Sequence, residues 1–235
     1  MCGRFTHLYK WRDLHRLMTL TTPLPPLPAD ELAPRYNIAP TQSVPVVRQH
    51  ADGIRDAAFL RWGLVPFWAK DITIGNRLIN ARSEEAASKP SFRAAMKKRR
   101  CLVPASAFYE WQAIEGQKTK QPWAIRVKDV PLFAFAGLWE RWDDKEGTVG
   151  EPGAAIDTFT ILTTSPNDLL KSIHNRMPVI VKPEDYDRWL NPNMNDSAAV
   201  ADVLAPFPAD QMEMWKICTR VNAPKNDDPS VLEAA

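Results

Sequence analysis

The chain holds 235 residues with 30 Lys+Arg against 28 Asp+Glu, is 45% hydrophobic and 25% charged, and carries a formal net charge of +2. That length fits one domain or a small pair, and the composition is that of a globular protein with a real core, which excludes disorder, collagen and coiled coil. A near-neutral balance supplies no global field for phosphates, so a nucleic-acid surface would have to arise from local clustering of charge.

In chain order, residues 8–20 set Leu8, Trp11, Leu14, Leu17 and Met18 at helical spacing with Arg12, Asp13 and Arg16 toward water, which predicts an amphipathic helix. The stretch 21–34 carries five prolines, at 23, 25, 26, 28 and 34, and their fixed φ and missing donors predict an extended surface connection. Strand-like segments follow at 43–48, 58–62, 101–104, 122–127, 132–138, 159–164, 179–181 and 214–221. Helices are expected at 90–98, 166–173, 183–190 and 197–204, three of them opening on proline. Strands that do not alternate regularly with helices predict an α+β fold. It is expected as one domain of mainly antiparallel strands in a barrel-like sheet, flanked by short helices. The acidic, glycine-containing segment 143–153 and the stretch from Lys225 are expected as mobile surface, with the domain over 1–226 and a flexible tail over 227–235.

The longest apolar run, 130–139, contains Pro131 and is too short for a spanning helix of about 20 residues, so no membrane association is expected. The start of the chain lacks the apolar core of a secretory signal, and three cysteines cannot form a closed disulfide set, which predicts a reducing, intracellular compartment. The four histidines lack ligand spacing, so no metal site is expected.

Cys2 is the most informative residue. Methionine aminopeptidases act before small residues, and removal of Met1 would leave a 1,2-aminothiol whose amine and thiol titrate near ~8 and ~8.5. An aldehyde would form an imine with the amine, and the sulfur would then close a thiazolidine ring. The bland reading is a small residue at a frayed end. Cys101 and Cys218 stand in apolar, strand-like settings and read as core.

Five segments could serve Cys2. In Phe108-Tyr109-Glu110-Trp111 a carboxylate sits among aromatics, which would raise its pKa and suit it to acid–base work, unless Glu110 merely faces solvent on a strand. His174-Asn175-Arg176 places an imidazole and a guanidinium two apart, fit for proton transfer and phosphate, or else a cap with a surface arginine. Asn80 and Arg82 share one side of an extended stretch, where Asn80 could orient the amine and Arg82 could instead pair with Glu84 or Glu85. The turn 62–68 carries large aromatics that could stack on bases or fill the core. Residues 89–100 form an acid-free basic cluster of Lys89, Arg93, Lys97, Lys98, Arg99 and Arg100, readable as phosphate contacts or as a solvated helix end.

The blocks Met1-Cys2-Gly3-Arg4-Phe5, Arg35-Tyr36-Asn37-Ile38-Ala39-Pro40, Trp62-Gly63, Ile79-Asn80-Ala81-Arg82-Ser83-Glu84, Phe108-Tyr109-Glu110-Trp111 and His174-Asn175-Arg176-Met177-Pro178 together resemble the SOS response-associated peptidase family, in order and over nearly the whole chain. The resemblance implies a sensor of abasic sites in single-stranded DNA that crosslinks covalently through its N-terminal cysteine, shields the lesion and needs no cofactor. It implies Cys2 as nucleophile, Asn80 holding sugar and amine, Glu110 shuttling protons and His174 assisting ring opening and imine chemistry. It puts Arg4, Pro40, Phe67, Trp68, Arg82 and Arg176 along the DNA path. Phe67 stands where relatives often carry a second tryptophan, and Pro90 where some carry arginine. Peptidase activity would mean removal of Met1, and the imine step is lyase-type chemistry. A monomer is expected, in the cytoplasm of a bacterium and on its nucleoid when DNA-bound, or in the nucleus of a eukaryote. Three alternatives are an amidotransferase using the same N-terminal thiol, a thiol peptidase built on Cys2, His174 and Glu110, and a noncovalent DNA-binding module.

Overall fold

Thirteen strands and four short α-helices, joined by 3-10 turns, are found among residues 2–23, 32–145, 147, 149, 151 and 153–235, which the computed structural model describes. They are β1 (Phe5–His7), α1 (Trp11–Leu17), β2 (Arg35–Ile38), β3 (Ser43–Gln49), β4 (Arg55–Trp62), β5 (Asn80–Arg82), α2 (Ser83–Ala86), α3 (Arg93–Lys98), β6 (Arg100–Ala105), β7 (Ala107–Gln112), β8 (Gln121–Val127), β9 (Phe133–Asp144), β10 (Ala154–Thr164), β11 (Met177–Pro178), β12 (Ile180–Val181), α4 (Tyr186–Leu190) and β13 (Met212–Lys216).

The expected antiparallel, barrel-like α+β architecture is what forms. β4, β3, β6, β9 and β10 pair antiparallel in turn, and β10 closes the ring by pairing parallel with β4. A second, antiparallel sheet runs β13-β8-β7-β1-β2. Strand alternation divides the barrel side chains between two cores. Val44, Val46, Cys101, Val103, Phe135 and Phe159 face a core shared with Phe5, Phe108 and Ile125 of the second sheet. Val47, Leu102, Leu138 and Leu162 face outward, under Leu14, Met18 and Trp189 of the helical layer.

Several boundaries differ from expectation for physical reasons. The first helix is confined to Trp11–Leu17 because Thr19 adopts a left-handed φ of 50°, which a continuing helix cannot accommodate. The expected strand 214–221 ends at Lys216, where β8 supplies its last pairing partner, and Thr219–Asn222 is a 3-10 turn. Only 3-10 turns form within 166–173 and 197–204. Most of the proline-rich connection, residues 24–31, lies outside the described residues.

Two segments expected to be mobile are built into the fold. β9 and β10 continue as a hairpin to Asp144 opposite Ala154, so the acidic segment extends the barrel wall, with 146, 148, 150 and 152 outside the described residues. The expected flexible tail 227–235 is docked. Asp227 accepts hydrogen bonds from Arg35 Nε and from the backbone N–H groups of Tyr36 and Asn37, and Val231 is fully buried. Asn37, itself fully buried, donates through Nδ2 to the carbonyls of Val221, Ala223 and Asn226, completing the clasp. Asp227→Ala is therefore expected to lower stability by about 1–3 kcal/mol, because it strands two backbone donors and a guanidinium. A urea melt checks this, and an unchanged midpoint would show that the clasp carries no stability.

Candidate functional site

β10 is flanked differently at its two ends, and that difference builds the site. At Thr158 and Phe159 it lies between β4 and β9; from Ile161 the turn from Gly63 to Ile79 has returned as β5, so Asn80 pairs with Ile161 and Arg82 with Thr163. On the other side, β11 takes over with Pro178 opposite Thr163. Asn80 and Arg82 on one flank, and His174 and Arg176 just before β11 on the other, thus meet at the C-terminal end of one strand.

The second sheet brings Cys2 and Glu110 to this end. β1 pairs with β7 through Phe5 and Phe108, and the Tyr109 N–H donates to the Arg4 carbonyl at 3.0 Å, so the start of the chain runs toward Glu110. Cys2 is fully buried beside Phe5 and Trp62, not at a frayed end. Asn80 Nδ2 donates to the Cys2 carbonyl at 2.8 Å, while its Oδ1 is buried and accepts no hydrogen bond among the described residues. Burial pushes the Cys2 thiol up, and the negative charge of Glu110 adds to that rise. A thiol raised in this way is a poor ready-made thiolate, which weakens the thiol-peptidase alternative.

Glu110 is 1% exposed, which excludes the solvent-facing reading. Burial pushes its carboxyl up to about 7 from the ordinary 4.5, against the opposing attraction of the terminal amine and, after it, of Lys120. Such a group changes protonation at neutral pH, as a proton shuttle must. His174 is half-buried, and burial holds it below the ordinary imidazole value, with Lys120 acting in the same direction. Its Nδ1 lies 3.0 Å from the Arg176 N–H and 3.1 Å from the Arg176 carbonyl. A neutral ring can accept from the N–H and an imidazolium can donate to the carbonyl, so both protonation states find a partner.

The residues expected on a DNA path divide into two groups. Phe67 and Trp68 are 60% and 49% exposed, unusual for such rings. They ride on a turn anchored by Gly63 N–H to Phe159 O, Leu64 N–H to Leu78 O and Val65 N–H to Thr158 Oγ1. Gly63 has φ +120°, and a Cβ there would lie 2.5 Å from the Gly75 carbonyl oxygen, so glycine alone lets this turn pack against the 3-10 helix Ile72–Arg77. Pro40 lies at the rim of the same turn, where Thr41 N–H donates to Trp62 O. Trp62 belongs to the core and links this turn to Asn80 by donating Nε1 to Ile79 O at 2.9 Å.

The arginines are already engaged. Arg4 donates to Asn37 Oδ1 at 3.0 Å and Val221 O at 2.8 Å, tying the first block to the C-terminal clasp. Arg82 is exposed and pairs with Glu85 at 3.2 Å, the partner its bland reading named. Arg176 forms a two-point ion pair with Glu84, both contacts at 2.8 Å, and also donates to Thr163 O. Much of the basic cluster at 89–100 proves structural. Arg100 is buried and donates to Met96 O, Lys97 O and Trp189 O, capping two helix ends, while Arg99 pairs with Glu140 and Lys89 with Glu85.

Sequence reasoning missed Lys120, whose charge acts on both Glu110 and His174, and Gln112, whose Nε2 donates to Ser172 O two residues before His174. The signal for Gln112 was its spacing, two residues from Glu110 and on the same face of β7. Among the described residues there is no metal-binding cluster, and no helix is long and apolar enough to cross a membrane.

Comparison with known proteins places this arrangement. The family model described as SOS response associated peptidase (SRAP) matches residues 1–224. The chain is 42% identical over 234 residues to the abasic site processing protein YoqW of Bacillus subtilis (strain 168), covering 100% of both chains. It is 31% identical over 229 residues to the abasic site processing protein HMCES of Gallus gallus, covering 85% of this chain and 66% of that one. A crystal structure of a protein from Bacteroides thetaiotaomicron superposes with a TM-score of 0.85 at 29% identity, covering 100% of both chains. With the family's model matched over residues 1–224, and Cys2, Asn80, Glu110 and His174 gathered around one strand end, the chain belongs to the SOS response associated peptidase family.

Proposed function

We propose that this protein senses abasic sites in single-stranded DNA and crosslinks to them through Cys2 once Met1 has been removed. The observation that carries the reading is the tie from Asn80 to the Cys2 carbonyl, close to a buried carboxyl that titrates near neutrality; the names of the relatives supply the lesion.

Hydrolysis of the Met1–Cys2 bond frees the α-amine. That nitrogen adds to the aldehyde carbon of the ring-opened abasic sugar, and the carbinolamine loses water to give an imine. The Cys2 sulfur then adds to the imine carbon, the nitrogen takes a proton, and a thiazolidine forms with one water released overall. Asn80 fixes Cys2 by its Nδ2 and offers its spare Oδ1 to the amine or a sugar hydroxyl. Glu110 carries protons between nitrogen and the departing water, and His174 assists opening of the sugar ring and the imine chemistry at the same carbon. The removal of Met1 is the peptidase activity, and proteolysis of other chains is no part of the reading. The protein acts as a monomer, in the bacterial cytoplasm and on the nucleoid when bound, or in the nucleus of a eukaryote.

Phe67 and Trp68 stack on bases near the lesion beside Pro40, while Arg82 and Arg176 meet phosphates and Arg4 holds the floor of the site. Trp68→Ala should cost about 1–3 kcal/mol of affinity for single-stranded DNA, as loss of one stacked base does. Arg82→Ala should lower the salt slope of log K by about 0.7, one phosphate on a single strand. Fluorescence anisotropy across a salt series checks both, and an unchanged slope would remove Arg82 from the path.

The proposal is tested by mixing the protein, its lost Met1 verified, with single-stranded oligonucleotides carrying either an abasic site or its tetrahydrofuran analogue, which has no aldehyde. A heat-resistant band on a denaturing gel is expected with the first and not with the second. Equal behaviour of the two would reject aldehyde capture.

A further inference from the structure

Glu110 and His174 come from different elements, and the imine chemistry proposed above, on which this inference rests, requires them at one carbon. Glu110 is on β7, whereas His174 is on a loop between a 3-10 turn and the two-residue strand β11. The Arg176 backbone orients the His174 ring within that loop, but it does not set the distance of the loop from β7. One side chain joins the two elements. Gln112 Nε2 donates to the Ser172 carbonyl at 3.1 Å, and Gln112 Oε1 accepts from Trp123 Nε1 at 3.1 Å.

Both ends of this link are anchored. Trp123 is the β8 partner of Glu110, and its ring lies under Lys216 Nζ, 5.6 Å from the centroid. The His174 N–H donates to Leu170 O at 2.9 Å, so the Ser172 carbonyl belongs to the same turn that sets the histidine backbone. The amide of Gln112 cannot rotate by half a turn, since that would set its NH2 against the indole N–H and its oxygen against the carbonyl.

We propose that Gln112 and Trp123 are positioning residues that hold His174 at the right separation from Glu110 for carbinolamine and imine formation. Neither touches the reacting atoms. Their effect passes through His174, and misplacement of a catalytic group by about 1 Å can cost as much as 10²-fold in rate.

The test is a double-mutant cycle read as single-turnover crosslinking to an abasic single strand, with affinity for the tetrahydrofuran oligonucleotide measured alongside. Gln112→Ala should slow crosslinking by about tenfold and leave that affinity unchanged. His174→Ala should slow it at least as much, and adding Gln112→Ala to His174→Ala should change the rate no further, because the brace then has nothing to position. Trp123→Phe, which keeps the ring but lacks the indole N–H, should reproduce a smaller part of the loss and guards against misfolding of the first variant. A Gln112→Ala rate within twofold of wild type, multiplicative losses in the double variant, or a parallel loss of tetrahydrofuran affinity would each overturn the inference. Failure of the wild-type protein itself to crosslink would instead reject the underlying function.

Discussion

Cys2→Ala is expected to abolish the heat-resistant crosslink to abasic single-stranded DNA while leaving affinity for the tetrahydrofuran oligonucleotide unchanged. The reason is the division of labour within one residue. After loss of Met1, alanine still presents an α-amine and can still form the imine, but it has no sulfur to close the ring, so the adduct stays hydrolysable. Borohydride added during the reaction should trap this species as a band in Cys2→Ala and Cys2→Ser alike. Cys2 is fully buried in the core cluster, and alanine or serine is small enough to occupy its place, so the variants test the thiol and not the packing. A heat-resistant band from Cys2→Ala without borohydride would place the nucleophile elsewhere.

Glu110→Gln is the second large effect. Removing a positioned proton shuttle costs about 10²–10⁴-fold, so the single-turnover rate should fall by at least a hundredfold with DNA affinity unchanged. The wild-type rate should bend near pH 7, where the buried carboxyl titrates, and the variant should lack that bend. Stability supplies an independent reading. In the folded chain the group holds its proton to about pH 7, and in the unfolded chain only to about 4.5. It therefore contributes most below pH 4.5, and that contribution falls as pH rises through 7, by up to roughly 3 kcal/mol, since one pKa unit is about 1.4 kcal/mol. Glutamine has no such fall, so the melting temperature of the variant relative to wild type should rise between pH 5 and pH 8. A constant difference would show that the carboxyl is not shifted upward.

These effects concern residues that the sequence already singled out, and the reason is chemical. An N-terminal cysteine, a carboxylate among three aromatics and an imidazole beside a guanidinium are residue types whose cost or reactivity shows in one dimension. The strands Ser43–Gln49 and Gln121–Val127 were equally legible, because their apolar content and bounding residues mark them locally. What the sequence hid depends on pairing between distant segments. Asn226 and Asp227 read as part of a loose end, since nothing local shows that Asn37 and the backbone N–H groups of β2 are waiting for them. The basic run ending at Arg100 read only as phosphate contacts or a solvated helix end, because the Trp189 carbonyl at the end of α4, which takes up Arg100, is 89 residues away. The same holds for Gln112. Its spacing puts it on the Glu110 face of β7, but its value lies in reaching Ser172, 60 positions on, which that spacing does not show.

The central claim, a thiazolidine at Cys2, is tested most directly by the intact mass of the crosslinked species after denaturation and exhaustive alkylation with iodoacetamide. The chain has three cysteines. The account predicts the mass of the protein without Met1, plus the abasic oligonucleotide, less one water, carrying two alkyl groups, on Cys101 and Cys218. The same adduct with three alkyl groups would mean that the Cys2 thiol is free and the linkage stops at the imine, which would contradict the account.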